Sequence, residues 1–169
     1  MDVSDAIQTM LAVRAYADKP VAPDAVRRIV EAAWLTGSSM NMQPWHFIVV
    51  QERETLRQLG ALAKSGPYTA EAALAVVVVI DESAYAVSDA SRAIQSMMLA
   101  AWAEGIGSNW VGFHGLEAAK PLLGIPAALD VFAIIPFGYP AQPVGKGNKQ
   151  RKPLARVAHR ERFDQPYPG

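Results

Sequence analysis

The stretch SSMNMQPWHFIVV, Ser38 to Val50, joins a run of hydroxyl, thioether and amide side chains to an apolar strand through Pro44. A connecting loop needs turn formers. Ser38, Ser39, Asn41 and Gln43 bring more donors and acceptors than a turn uses, and they stand at the mouth of a strand, Trp45–Val50, that reads as buried. That combination points to a loop that grips something.

Upstream, Ser4 is a candidate cap for a first helix with Ile7, Leu11 and Met10 on its inner face. Pro20 and Pro23 break the chain, and Pro23 with Asp24 suits the first turn of a second helix, which carries Val26, Ile29, Val30, Ala33 and Trp34 and stops at Gly37. Downstream, Glu52–Ala63 reads as an amphipathic helix and Leu74–Ile80 as a central strand, β-branched and apolar throughout. Ser88 or Asp89 is expected to cap the longest helix, which runs to Glu104 with Gly105 as its stop. That helix is apolar on most faces, so a second subunit is the expected cover. Ile106–Val111 and Leu129–Pro136 read as strands, with a short helix at 115–123 between them. The order ααβαβαβαβ predicts an α+β sandwich: a central mixed or antiparallel sheet flanked by helices, in one domain over residues 1–140. Residues 141–169 form a tail rich in Pro, Gly and basic residues, either disordered or laid across a partner.

Composition narrows the function. The 169 residues are 51% apolar, with 16 basic residues against 16 acidic ones. Such a balance gives no overall field for nucleic acid or an anionic membrane. Mean hydropathy is +0.08. The longest apolar run, Ala72–Ile80, is too short to span a bilayer, and MDVSDAIQTM lacks the features of a signal peptide. No cysteine is present, which excludes thiolate chemistry and fits a reducing cytoplasm. His46, His114 and His159 are scattered, so no metal site is expected. There is no Gly-x-Ser-x-Gly elbow. GIGSNWVG, Gly105–Gly112, follows a helix and opens a strand, the reverse of a dinucleotide fingerprint. The basic cluster KGNKQRK, Lys146–Lys152, is either a solvated tail or a phosphate clamp, with Arg14 a second possible component.

Taken together, SSMNMQPWHFIVV, VRAYADKPV (Val13–Val21), the long helix followed by GIGSNWVG, IIPFGYP (Ile134–Pro140) and KQRKPL (Lys149–Leu154) resemble the FMN-dependent nitroreductases, in the family's order and over nearly the whole chain. The length resembles the family's compact branch. The resemblance implies an intertwined homodimer with exchanged C-terminal arms and FMN at the interface. It assigns Ser38, Ser39 and Asn41 to the ribityl chain and flavin edge, reached from one of the two subunits. Arg14 would lie near the pyrimidine edge, the backbone of Val111 and Gly112 near N5, and Lys149 and Arg151 on the phosphate. Met40, Tyr68 and Phe113 are candidates to line the acceptor pocket. No side chain is assigned as catalytic acid or base, because the flavin carries the chemistry.

The implied activity is reduction of nitroaromatic, quinone or similar flat acceptors with NAD(P)H by ping-pong hydride transfer. Alternatives are other FMN chemistry on the same fold, such as dehalogenation or flavin fragmentation, and a weakly flavin-binding dimer without activity. One departure from the family pattern bears on affinity. Met10, Leu11 and Ala12 stand where basic and hydroxyl residues are usual, so Met10 is expected to replace a phosphate ligand.

Overall fold

The computed structural model describes residues 1–112, 115–145 and 149–167. Helices α1 (Val3–Thr9) and α2 (Pro23–Trp34) precede strand β1 (Trp45–Val50), then α3 (Arg53–Leu62), β2 (Leu74–Ile80), α4 (Ala86–Ala103), β3 (Gly107–Ser108), α5 (Ala119–Leu123) and β4 (Asp130–Gly138). The expected element order is observed. The sheet runs β1-β2-β4-β3, and each of these pairings is antiparallel. Ala12 adds a parallel bridge to Ser108 at the β3 edge.

β2 is buried along its whole length because it has a core on each face. Leu74, Val76, Val78 and Ile80 pack with α2 and α4, while Ala75, Val77 and Val79 pack with Leu56, Leu59 and Ala119 of α3 and α5. Side chains alternate across a strand, so a continuous apolar run is what a two-faced sheet requires. β4 carries a bulge where Val78 pairs with Ala133 and Val79 with Val131. The skipped residue, Phe132, meets Trp110 edge to face at 5.4 Å.

Several boundaries differ from expectation. Asp2, not Ser4, caps α1, accepting from the Asp5 N–H at 2.8 Å, and Ile7 is exposed. The strand expected over Ile106–Val111 shrinks to Gly107–Ser108, with Val111 rejoining β4 by an isolated bridge to Ile134. Trp110 and Phe132 occupy the space between.

α4 begins at Ala86, earlier than its expected cap, and closes through Gly105 at φ +76° with the Ile106 N–H on Ala101 O at 2.9 Å. Its buried residues, among them Ala90, Ala93, Ile94 and Met97, are covered by α2 and the sheet of the same chain. A second subunit is therefore not needed to bury them. Among the described residues, no helix is long and apolar enough to cross a membrane.

Candidate functional site

The loop that leads into β1 is built around a buried carboxylate. Asp89 lies in the first turn of α4 and is fully buried. It accepts from the Ser39 N–H at 2.9 Å and from the Ser39 hydroxyl at 3.0 Å, and it is paired with Arg92 one turn along. Burial pushes the Asp89 pKa up. The Ser39 N–H, the Ser39 hydroxyl and the Arg92 guanidinium together outweigh that and hold it below the ordinary carboxylate value.

Beyond Ser39 the backbone is strained. Met40, Asn41 and Gln43 have φ of 51°, 56° and 51°, the left-handed region that costs a residue such as Met about 1–2 kcal/mol. Ser38 Oγ accepts from the Gln43 N–H at 2.9 Å, and Gln43 Nε2 donates to Asn41 Oδ1 at 3.1 Å. These bonds leave the Ser38 hydroxyl hydrogen and the Asn41 amide hydrogens directed elsewhere. Met40, at 76% exposure, and Met42 stand beside them.

A second group of residues gathers at the β3 edge. Val13 donates to Ser108 O at 2.9 Å, which sets the exposed Arg14 at that edge. Tyr16, two residues on, is buried and donates to Val13 O at 2.9 Å. Burial, reinforced by Tyr68 and opposed by Arg14, drives its phenol pKa far above the ordinary value. Tyr68 accepts from Asn109, itself buried. Lys149 Nζ donates to Ile7 O at 2.6 Å, placing a cation at the C-terminal end of α1, where the helix dipole favours one. Its two further hydrogens remain to meet an anion. Beyond the same end of α1 lies a cavity of about 590 Å³ bounded by Thr9, Trp102, Tyr139 and residues 141–145. A second hollow, about 440 Å³, runs along Ala12–Ala15 and Pro140–Val144, with Arg14 on its wall. Cations beside a largely apolar, aromatic-walled hollow suit a ring system carrying a phosphate.

The two groups lie at opposite ends of α4. Ser39 is bound to Asp89 near its start, and Trp102 Nε1 near its end donates to Thr9 Oγ1 at 2.9 Å. At 1.5 Å per residue, these anchor points are about 20 Å apart. The topology agrees, since β1 and β3 are the two outer strands of the sheet. One chain thus places Arg14, Tyr68, Val111 and Gly112 on its β3 side and Lys149 at the end of α1, and separately gathers Ser38, Ser39, Met40 and Asn41. It does not bring the first set to the second.

Some expected roles change. Val111 has no backbone donor to offer, because its N–H donates to Ile134 O at 3.0 Å, while its C=O already accepts from the Ile134 N–H at 2.7 Å. Gly112 remains the candidate there. A Cβ on it would lie 2.6 Å from Trp110 Nε1 and 3.1 Å from Phe132 O, so only glycine fits at this position. The Ser39 hydroxyl donates inward to Asp89 and presents only its acceptor side outward. Met10 is half-buried against the α2/α4 core, so an Arg at this position would compete with packing, and the nearby cation comes instead from Lys149. Arg151 is exposed, and its guanidinium donates to Gln150 O. Phe113, His114 and Lys146 lie outside the described residues. Among the described residues, no cluster of His, Asp or Glu could hold a metal.

Sequence reasoning missed Asp89 as a site residue, reading it as a cap. The available signal was an Asp–Arg pair spaced i, i+3 on a helix whose neighbouring positions are apolar.

A two-faced α+β sandwich with a cation-walled hollow at one corner and a polar, strained loop at the other defines the class. Residues 11–82 and 76–139 match the model of the Nitroreductase family, and the chain belongs to that family. It is 36% identical over 154 residues to a protein of Methanothermobacter thermautotrophicus assigned by name as an NADH dehydrogenase/NAD(P)H nitroreductase, covering 86% of this chain and 81% of the relative. Among solved structures, an FMN-dependent nitroreductase of Clostridium difficile superposes with a TM-score of 0.87 at 25% identity, covering 95% of this chain and 99% of that one. A protein of Desulfovibrio desulfuricans, named as a nitroreductase and crystallised with FMN, superposes with a TM-score of 0.83 at 32% identity, covering 96% and 98%.

Proposed function

We propose that the protein is an FMN-dependent oxidoreductase that uses NAD(P)H to reduce a nitroaromatic, quinone or similarly flat acceptor, in a ping-pong sequence and as a cytoplasmic homodimer. The observation that carries this reading is the split site. The polar loop Ser38–Gln43 and the cations Arg14 and Lys149 belong to one chain but stand about 20 Å apart along α4, and two copies related by a twofold axis can complete each other's half.

Charge supports the exchange of arms. Residues 141–169 hold seven Lys and Arg against two acidic residues, while residues 1–140 hold nine against fourteen. The tail leaves Leu154, Val157, Phe163 and Tyr167 exposed on its own chain. β1 is an outer strand of the sheet, and an uncovered outer strand invites pairing with another chain. An arm of opposite charge from a second copy is the partner these features fit.

FMN, when bound, supplies the hydride chemistry between nicotinamide and acceptor. The protein's part is to hold and tune. Lys149 and Arg151 would neutralise the phosphate. Arg14 would favour negative charge at the pyrimidine edge, and Ser38 and Asn41 would donate to the ribityl chain or flavin edge. Ser39 would accept, and the Gly112 backbone would approach the ring. Met40 and Tyr68 would wall the acceptor's place with polarisable and aromatic surface. The test is direct: the purified protein should show flavin absorbance and oxidise NAD(P)H when given a nitroaromatic or quinone. A colourless protein that gains no flavin band on incubation with FMN overturns the reading.

A further inference from the structure

We propose that Asp89 is the positioning residue of the cofactor loop, holding Ser39 so that the left-handed residues after it present their polar groups outward. The inference rests on the flavin reading above and adds to it a residue with no direct contact to the cofactor.

Four observations carry it. First, three non-glycine residues in a span of four, Met40, Asn41 and Gln43, adopt positive φ, and such a cluster persists only where its surroundings over-determine it. Second, packing does not supply that determination, since residues 40–43 are all exposed. Third, the loop's other hydrogen bonds are local in sequence: Asn41 N–H to Ser38 O, Met42 N–H to Ser39 O, Gln43 N–H to Ser38 Oγ, the Gln43 amide to Asn41, and the Trp45 N–H, where the chain continues into β1, to Gln43 O. Among the described residues, the bonds from Ser39 to Asp89 are those that tie residues 38–43 to an element distant in the chain. Fourth, Asp89 is fully buried at the start of α4, where its only paired cation, among the described residues, is Arg92.

A buried carboxylate is a costly way to build a helix end, since its charge must be matched by donors. It is well suited to fixing one backbone N–H and one hydroxyl of a single residue at the same time, which sets both the position and the orientation of the loop that follows.

The experiment compares the wild-type protein with Asp89→Asn, nearly the same shape without the charge, and with Ser39→Ala, which keeps the N–H bond and loses the hydroxyl. Two readouts are taken. Amide hydrogen exchange of the 38–43 segment, without flavin, reads the tether itself. Affinity for FMN and for riboflavin, by flavin fluorescence, reads positioning. The expected result is faster exchange in Asp89→Asn, with both flavins weakened about tenfold or more and to the same degree, because the loop meets the part that the two ligands share. Ser39→Ala should show a smaller effect in the same direction, and it serves as the test variant if Asp89→Asn does not fold. Unchanged exchange overturns the tether. Faster exchange with unchanged flavin affinity overturns the positioning role, leaving Asp89 merely structural. A wild-type protein with no affinity for either flavin overturns the proposed function instead, and the exchange comparison still decides the tether.

Discussion

If each cofactor site takes its loop from one copy and its cations from the other, defects on separate chains must complement each other. Consider one variant with Ser38→Ala and Asn41→Ala, and a second with Lys149→Ala and Arg151→Ala. Each alone forms dimers with two damaged sites. Each charge-assisted phosphate contact is worth roughly 1.5–3 kcal/mol. Losing both should therefore weaken FMN by about two to four orders of magnitude at about tenfold per 1.4 kcal/mol. When the two variants are unfolded together and reassembled, about half of the dimers are mixed. In a mixed dimer, one site combines both defects and the other combines the intact loop with the intact cations. About a quarter of all sites should then bind FMN with wild-type affinity. Fluorescence titration gives the stoichiometry, and native mass spectrometry confirms that mixed dimers formed. The separation of about 20 Å along α4 makes the outcome decisive, because a site drawn from one chain would give no recovery. Mixed dimers with no high-affinity sites would refute the split-site reasoning.

Other outcomes follow from single positions. The paired Lys149→Ala, Arg151→Ala variant should bind riboflavin nearly as well as wild type while losing FMN, since only FMN has the phosphate; equal losses would remove these two residues from the phosphate. Gly66→Ala should destabilise the fold by about 1–3 kcal/mol, lowering the melting temperature by roughly 2–4 °C per kcal/mol. A Cβ there lies 2.4 Å from Val111 Cγ2, and a calorimetric scan with no downward shift would show that Val111 yields freely. Because Asp89 is held below the ordinary carboxylate value in the folded protein, its charge contributes stability that is fully present above the unfolded Asp pKa of about 3.9. That contribution is lost as pH falls through the lowered folded value. The stability gap between wild type and Asp89→Asn should be constant near neutral pH and shrink on acidification below about pH 4, as read by urea melts across pH. A gap that stays constant into strong acid would mean that Asp89 is not the titrating group.

Patterning along the chain was enough for the architecture. β1 and β2 fall where the apolar runs place them; β2 is apolar at every position because it is buried on both faces, whereas β1, expected to be buried, is buried only at its ends, Trp45 and Val50. Pro23 and Gly105 mark helix ends because one lacks an N–H and the other tolerates positive φ. The loop SSMNMQP stood out by its hydroxyls and amides, several of which the folded loop uses on itself and on Asp89.

What the sequence could not supply is partnership between residues far apart in the chain. Ser39 and Asp89 are 50 positions apart, and nothing in either segment says that a carboxylate expected to cap α4 turns inward to hold the loop. Lys149 reaches Ile7 across 142 positions. Val111 gives its backbone donor to Ile134 across 23 positions. Met10 turned toward the core because α1 lies against α4. Local propensity acts over a turn or a strand, whereas the depth of a carboxylate, the partner of an amide and the separation of the Ser38–Gln43 loop from Lys149 depend on how whole elements pack. Those are decided only when the sandwich closes.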